Sequence, residues 1–300
     1  YVQGDVAPAV GFGYVKYRLM RVVFPVLGRL RAPAYGLASI CGPLGLMHPG
    51  TRRTVRRTMA PLCSENPGRL DALTRELMRQ AARYYVDLAS LRFRDFGRLE
   101  ADHLEVEHLE RVAALDVDGP RIVIGGHTAG SELALQAFRA RGYSFTGLVE
   151  QVDPPELSTY LLEWRRSAGG KFFEADRRGL RECLSTLEAG GLVVLMADRD
   201  IQGNGTCVEF FGRRVRFPRG PWELAARVGA PVVPFLCSRR RGDQIRVLVE
   251  EPILVDPGKG RADGVGEAAQ RWAAVLERYL RRDPGQWIVL EDFWKVHACE

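Results

Sequence analysis

The sequence predicts an α/β fold: a mixed, mostly parallel sheet flanked by helices, preceded by a helical, basic N-terminal section. From residue 121 onward, short β-branched runs alternate with stretches of helical period. Strands that feed helices on the faces of a largely parallel sheet have this texture. The 300 residues suffice for one large core. No internal repeat, low-complexity tract or long linker divides them. One domain is therefore expected over 1–300, with a mainly helical, membrane-facing section at 1–100 and an α/β catalytic core at 101–300.

The helical section opens with "YVKYRLMRVVFPVLGRLRAPAYGLASICGPLGLM", which mixes aromatic and aliphatic residues with Lys16, Arg18, Arg21, Arg29 and Arg31. Pro25 and Pro33 interrupt it. Such a segment suits a membrane interface, and equally a helix that packs its apolar side on the body. The two are compatible. In "TRRTVRRTM", Arg52, Arg53, Arg56 and Arg57 fall at i, i+1, i+4 and i+5, on one side of a helix. A solvated face and a phosphate-bearing partner both fit. "LDALTRELMRQAARYYVDLASL" is an amphipathic helix. In the core, strands are expected at 121–126, 145–150, 191–197, 230–237 and 245–250. Helices are expected at 130–141, 155–167, 178–189, 221–228 and 265–281.

Lys and Arg number 43 against 37 Asp and Glu, a net charge of +6, and arginine dominates the basic set. That composition favours phosphates and acidic headgroups, or serves solubility alone. No nucleic-acid partner is expected. The six cysteines (41, 63, 183, 207, 237, 299) show no CxxC pair and no metal-like spacing. Reduced thiols are therefore expected, with Cys207 and Cys237 as buried packing residues, and no metal site. No apolar run reaches membrane-spanning length, and no signal peptide is visible. The chain opens at Tyr1 rather than methionine, which leaves room for a removed N-terminal piece.

The stretch "RIVIGGHTAGSELALQAF" (121–138) carries a strand into two glycines, a histidine and a helix. Strand ends and the helix starts beside them are the usual site of an α/β sheet. With His127 in the turn, Glu132 in the first helical turn would reach back to one ring nitrogen, leaving the other as a general base. Free N–H groups at the helix start favour a nearby anion, whether glutamate or a developing oxyanion. Alternatively, Thr128 or Ser131 caps the helix and Glu132 complements its dipole. "GGHTAGSE" is neither G-x-G-x-x-G nor a P-loop, and the chain has no G-x-S-x-G.

Several further motifs then appear in order: "MADRD", "VEFFG", "FPRGP", "GAPVVPFL" and a closing "DPGQW". With "GGHTAGSE" and the basic helical start, they resemble the bacterial lipid A late acyltransferases and, more closely, the phosphatidylinositol mannoside acyltransferases. The resemblance covers nearly the whole chain. It implies O-acyl transfer from a fatty acyl thioester, on coenzyme A or acyl carrier protein, to a hydroxyl of a membrane glycolipid. It also implies peripheral attachment at the cytoplasmic face of the bacterial inner membrane, and no cofactor. His127 falls on the catalytic histidine of that group, and Glu132 on the acid of its His-x4-acid motif. Asp198 matches a further acidic active-site position. Glu150 in "LVEQV" and Arg165 in "WRRSAG" match members of an active-site network. "HTAGSE" departs from the phosphatidylinositol mannoside enzymes in lacking an internal aromatic. It carries Glu, as in the lipid A branch, so the acceptor is not copied from either.

Arg199, Arg213, Arg214, Arg216 and Arg219 follow the "MADRD" strand. They form either a positive rim for donor phosphates, acyl carrier protein or lipid headgroups, with Arg199 and Arg219 as binding candidates, or a solvated hairpin. Gly220 and Pro221 predict a helix start. His48, His103 and His108 are expected on the surface. Trp287 and Trp294 are expected either at a membrane interface or packed on the body. A thioesterase, or a non-catalytic acyl- or lipid-binding module, is the rival function.

Overall fold

The computed structural model describes residues 10–115, 118–140, 142–240, 244–256 and 261–299. The first nine residues of the expected helical section, and residue 141 at the end of the expected helix 130–141, lie outside them.

Helices α1 (Val10–Arg29), α2 (Arg31–Cys41), α3 (Pro49–Met59), α4 (Leu70–Ser90) and α5 (Phe96–His103) form the N-terminal section. The core alternates as the pattern predicts. It runs β1 (Leu104–Glu107), β2 (Arg121–Gly125), α6 (Ser131–Ala140), β3 (Phe145–Val149), α7 (Pro155–Arg166), β4 (Lys171–Glu174), α8 (Arg177–Glu188) and β5 (Leu192–Met196). A hairpin, β6 (Thr206–Phe210) and β7 (Arg213–Phe217), precedes α9 (Gly220–Val228), β8 (Val232–Arg239), β9 (Ile245–Val249), α10 (Arg261–Arg282) and the short α11 (Phe293–Val296). All five expected strands and five core helices are present, and α9 begins at the expected Gly220–Pro221. Sequence reading missed β1, β4 and the hairpin strands.

The seven-stranded sheet has the order β1-β9-β8-β2-β5-β3-β4. From β8 to β4 all neighbours are parallel, and β9 runs antiparallel to β8. β2 is central and buried almost throughout, as expected of a strand covered on both faces. Its side chains alternate between two cores. Ile122 and Ile124 share one with Trp222 of α9, Trp272 and Leu276 of α10, and Phe210 and Phe217 of the hairpin. Val123 shares the other with Leu133 of α6, Trp164 of α7, Leu88 of α4 and Phe24 of α1.

The apolar residues of the N-terminal helices divide between two faces. Met20, Phe24, Ala34 and Tyr35 are buried against the body. Val15, Leu19, Val22, Val26 and Leu30 are exposed along one side of α1, and Leu37, Ile40, Leu44 and Met47 continue the stripe. One face of this segment thus packs on the body, as one of its two sequence readings expects, and the other is apolar and open. No helix among the described residues is long and apolar enough to cross a membrane.

Two expectations are corrected. Cys207 and Cys299 form a disulfide, where reduced thiols were expected, and Cys207 is exposed rather than buried. The residues after α11 run beside β7: Arg216 N–H donates to the His297 carbonyl, and Cys299 N–H to that of Arg214. β7 in turn pairs Arg216 with Cys207 on β6. Two cysteines 92 positions apart thus meet with Cα atoms 6.1 Å apart. Trp287 and Trp294, for which a membrane interface was one option, pack on the body at 0% and 8% exposure.

Candidate active site

β2 and β5 lie side by side and parallel, with Gly125 opposite Met196. Two residues beyond each of these come His127 and Asp198, so the register alone sets the pair abreast at the C-terminal rim of the sheet. Gly126 makes room for the contact, since a Cβ there would stand 3.3 Å from Asp198 Oδ2 and from Leu276 Cδ1. Asp198 is fully buried. Its Oδ1 lies 2.6 Å from His127 Nδ1, and its Oδ2 accepts from the His127 backbone N–H and from Trp287 Nε1–H, each at 2.8 Å. Burial pushes the Asp198 carboxyl upward. The His127 ring and the donated hydrogen bonds outweigh it and hold the group below its ordinary value.

Nδ1 of His127 is thereby committed to a carboxylate. Nε2 has no hydrogen-bond partner among the described residues, and the side chain is 30% exposed. A neutral ring whose Nδ1–H donates to that carboxylate would leave Nε2 as the open acceptor. Among the described residues, no serine or cysteine is hydrogen-bonded to the histidine.

The orienting acid is Asp198, not Glu132, which corrects the expectation drawn from the His-x4-acid spacing. Glu132, on the first turn of α6, is buried and turned to Arg165 of α7, whose Nε lies 3.0 Å from Oε2. Arg165 Nη2 donates to the Tyr84 hydroxyl on α4 at 2.6 Å. Burial opposes charge on Arg165, but Glu132 and Tyr84 more than restore it and raise its pKa. Burial lifts Tyr84 to about 12. The trio ties α6, α7 and α4 together directly behind the His127 turn. Thr128 does not cap α6, because its hydroxyl accepts the Cys237 amide on β8 at 3.2 Å.

The "DPGQW" segment secures the turn from above. Ala129 N–H donates to the Gln286 carbonyl at 2.9 Å and Ile288 N–H to that of His127 at 2.7 Å, making a short antiparallel pairing of 127–129 with 286–288. Trp287, bridged to Thr128 in this pairing, turns its indole N–H to Asp198. Its role escaped the sequence reading, although the motif itself was visible.

Arg199 and Glu150, both sequence candidates, meet across the rim at 3.0 Å. Arg199 is also held in a fork by Glu291, with Nε–Oε1 at 2.7 Å and Nη2–Oε2 at 3.0 Å. Glu291 binds His297 Nε2 at 2.7 Å. Burial would raise Glu291, but the bonds from His297 and Arg199 pull it down to about 2. Sequence gave no signal for Glu291 or for the buried His297. Arg219 stands apart, pairing with Glu223 on its own helix at 2.8 Å. No hydrogen bond or ion pair among the described residues joins it to the other candidates. The arginines after "MADRD" are likewise partly engaged: Arg216 approaches Asp200, and Arg213 lies over the Trp294 ring.

This protein is an acyltransferase. Residues 58–296 match the model of the bacterial lipid A biosynthesis acyltransferases, and the chain belongs to that family. It is 28% identical over 254 residues to a phosphatidylinositol mannoside acyltransferase of Mycolicibacterium smegmatis, covering 82% of this chain and 80% of that one. It is 29% identical over 200 residues to the protein of the same name from Mycobacterium tuberculosis strain H37Rv, covering 65% and 60% respectively. A solved 1-acyl-sn-glycerophosphate acyltransferase from Thermotoga maritima covers 66% of this chain and 82% of its own at 20% identity. Its TM-score of 0.36 is a likeness too slight to build on.

Proposed function

We propose that the protein transfers a fatty acyl chain from a thioester, on coenzyme A or acyl carrier protein, to a hydroxyl of a glycolipid of the phosphatidylinositol mannoside or lipid A type, with His127 as general base. The observation that carries this is the Asp198–His127 pair, which leaves Nε2 free at the rim of the sheet.

In the proposed step, Nε2 takes the proton of the acceptor hydroxyl while its oxygen attacks the thioester carbonyl carbon. The C–O bond forms, negative charge moves to the carbonyl oxygen, and Asp198 stabilises the imidazolium. Collapse of the tetrahedral species breaks the C–S bond, and the thiolate leaves with the proton from Nε2. A thiolate departs readily, so the base and stabilisation of the oxyanion carry the main demand. Free N–H groups at the start of α6 favour that oxyanion. Glu132 and Arg165 position the turn from behind. Arg199, released from Glu150, and Arg219 offer cations to the donor's phosphates. No cofactor takes part. The open apolar stripe of α1 and α2, flanked by exposed Lys16, Arg18, Arg21 and Arg29, supports peripheral attachment to a membrane surface; the cytoplasmic face of the inner membrane is what the family resemblance implies.

The test is thiol release from palmitoyl-CoA, with and without a bacterial glycolipid extract, for wild type and His127→Ala. Release that needs both the extract and His127, with a matching mass gain in the acceptor, is the expected result. Normal turnover by a well-folded His127→Ala protein would overturn the mechanism, and release without an acceptor would indicate a thioesterase. Failure with both coenzyme A and acyl carrier protein donors would leave a lipid-binding module.

A further inference from the structure

Away from the His127 corner, a groove of about 510 Å³ is lined by Leu46, Met47, Pro49, Arg52, Arg53, Arg56 and Arg57. We propose that it is a binding site for the phosphodiester headgroup of an anionic membrane lipid.

The arginines are aimed outward by the packing of their own helix. Val55, Thr58 and Met59, along the inner side of α3, are fully buried. Thr58 is tied down further, since its carbonyl accepts from Trp294 Nε1 at 2.9 Å. The helix therefore cannot roll to hide its cations. Arg56 pairs with Asp71, and Arg57 with Asp292 at 3.1 Å. Arg52 and Arg53 have no carboxylate partner among the described residues. Four guanidinium groups thus face two carboxylates, and the groove carries an uncompensated charge of about +2 beside open space.

The rim supplies the second half of the argument. Met47 is 80% exposed, and the open stripe runs from it through Leu44, Ile40 and Leu37. A free phosphate or an acidic protein would leave this apolar crest in water. A lipid satisfies both features at once, its phosphate forked by arginine while its chains lie along the leucine and methionine side. The site is also linked to the proposed chemistry. α3 is bound to the segment after Glu291, the residue that holds Arg199 beside Asp198. The inference extends the membrane-surface proposal and rests on it, but headgroup binding is measurable without turnover.

The experiment is flotation of the full chain with phosphatidylcholine vesicles, with and without a minor fraction of phosphatidylinositol, at physiological salt. Each basic residue at an anionic surface is worth roughly fivefold in binding, so Arg52→Ala with Arg53→Ala should cost about 25-fold on phosphatidylinositol vesicles. Binding to pure phosphatidylcholine should hardly change. The control is Arg177→Ala with Arg178→Ala, which removes the same charge from exposed positions on α8 and should shift binding less than about twofold. Leu44→Asp with Met47→Asp should weaken binding to both vesicle types. Equal losses in the two arginine double variants would mean smeared charge rather than a site. Wild-type flotation by Arg52→Ala/Arg53→Ala would exclude the site outright. Full competition by millimolar inorganic phosphate would assign the groove to free anions and overturn the lipid. Each of these outcomes is independent of whether palmitoyl-CoA is turned over.

Discussion

Asparagine at position 198 separates a catalytic tautomer effect from a structural one. The carboxylate meets three donors: the His127 ring at Oδ1, and the His127 and Trp287 N–H groups at Oδ2. Asparagine has one accepting arm. With its oxygen at the Oδ2 position it keeps two of the three bonds, and its amide then faces Nδ1 as a donor. The imidazole must shift its proton to Nε2, which abolishes the free base. With the oxygen at Oδ1 the base survives, but two buried N–H groups face an NH2, each at a cost of about 1–3 kcal/mol. The first arrangement is favoured, so Asp198→Asn should fold, lose little stability and lose about 10²–10⁴ in transfer rate. Thiol release from palmitoyl-CoA in the presence of glycolipid reads the rate, and ¹⁵N chemical shifts of the His127 ring read the tautomer. A folded variant with an Nε2–H ring and wild-type turnover would refute the assignment of Nε2 as base. A dead variant whose ring keeps its proton on Nδ1 would refute the tautomer argument.

Glu132→Gln should act on stability first: it strands the Arg165 charge in a buried site, at a cost of about 3–5 kcal/mol in a denaturant melt, and unchanged stability would show the pair to be solvated. Acid should loosen the rim, because Glu291 is held at about 2 against an ordinary 4.5. A depressed carboxylate contributes stability that is fully present above its unfolded value, so up to about 3 kcal/mol is lost as the pH falls from about 4.5 towards 2. Glu291→Gln should flatten that limb of the stability–pH curve, and an unaltered curve would discount the pair. Reduction of Cys207–Cys299, which closes a long loop, should remove roughly 4 kcal/mol. A thermal scan with and without dithiothreitol, alongside a free-thiol count, checks it; equal melting temperatures with two new thiols would show the strap to be slack.

What was legible in the sequence was whatever repeats locally. The buried strands β2, β5 and β8 announce themselves through apolar runs, β3 and β9 through short apolar stretches interrupted at Thr146 and Arg246, and the core helices through their period. β1 ("LEVE") and β4 ("KFFE") are four-residue edge strands, each with two charged residues, too short for a pattern to form. His127 was found because it ends a strand before a helix. Asp198 was itself a candidate through the family resemblance, but its pairing with His127 was not legible, because the visible spacing, five positions to Glu132, competes with a contact made through strand pairing. Arg239 with Asp87, buried together at 0% and 1% exposure, could not be read at all, since 152 positions separate them. The same holds for the disulfide, whose cysteines meet only because the C-terminal residues line up beside the hairpin.

The strand register has a bearing on how this corner varies among related chains. The separation of His127 from Asp198 is 71 positions, the offset by which β2 and β5 are paired. Everything inserted or deleted between the two strands changes that count without moving the side chains, provided Gly125 still faces Met196. A single residue gained or lost in the two-residue overhang of either strand would instead carry one side chain out of reach of the other. Loops and helices between 128 and 191 are free to drift in length, while the short tails "GH" and "AD" act as a ruler that cannot be recut. A search for chains with this chemistry should therefore hold those overhangs fixed and leave the distance between them open.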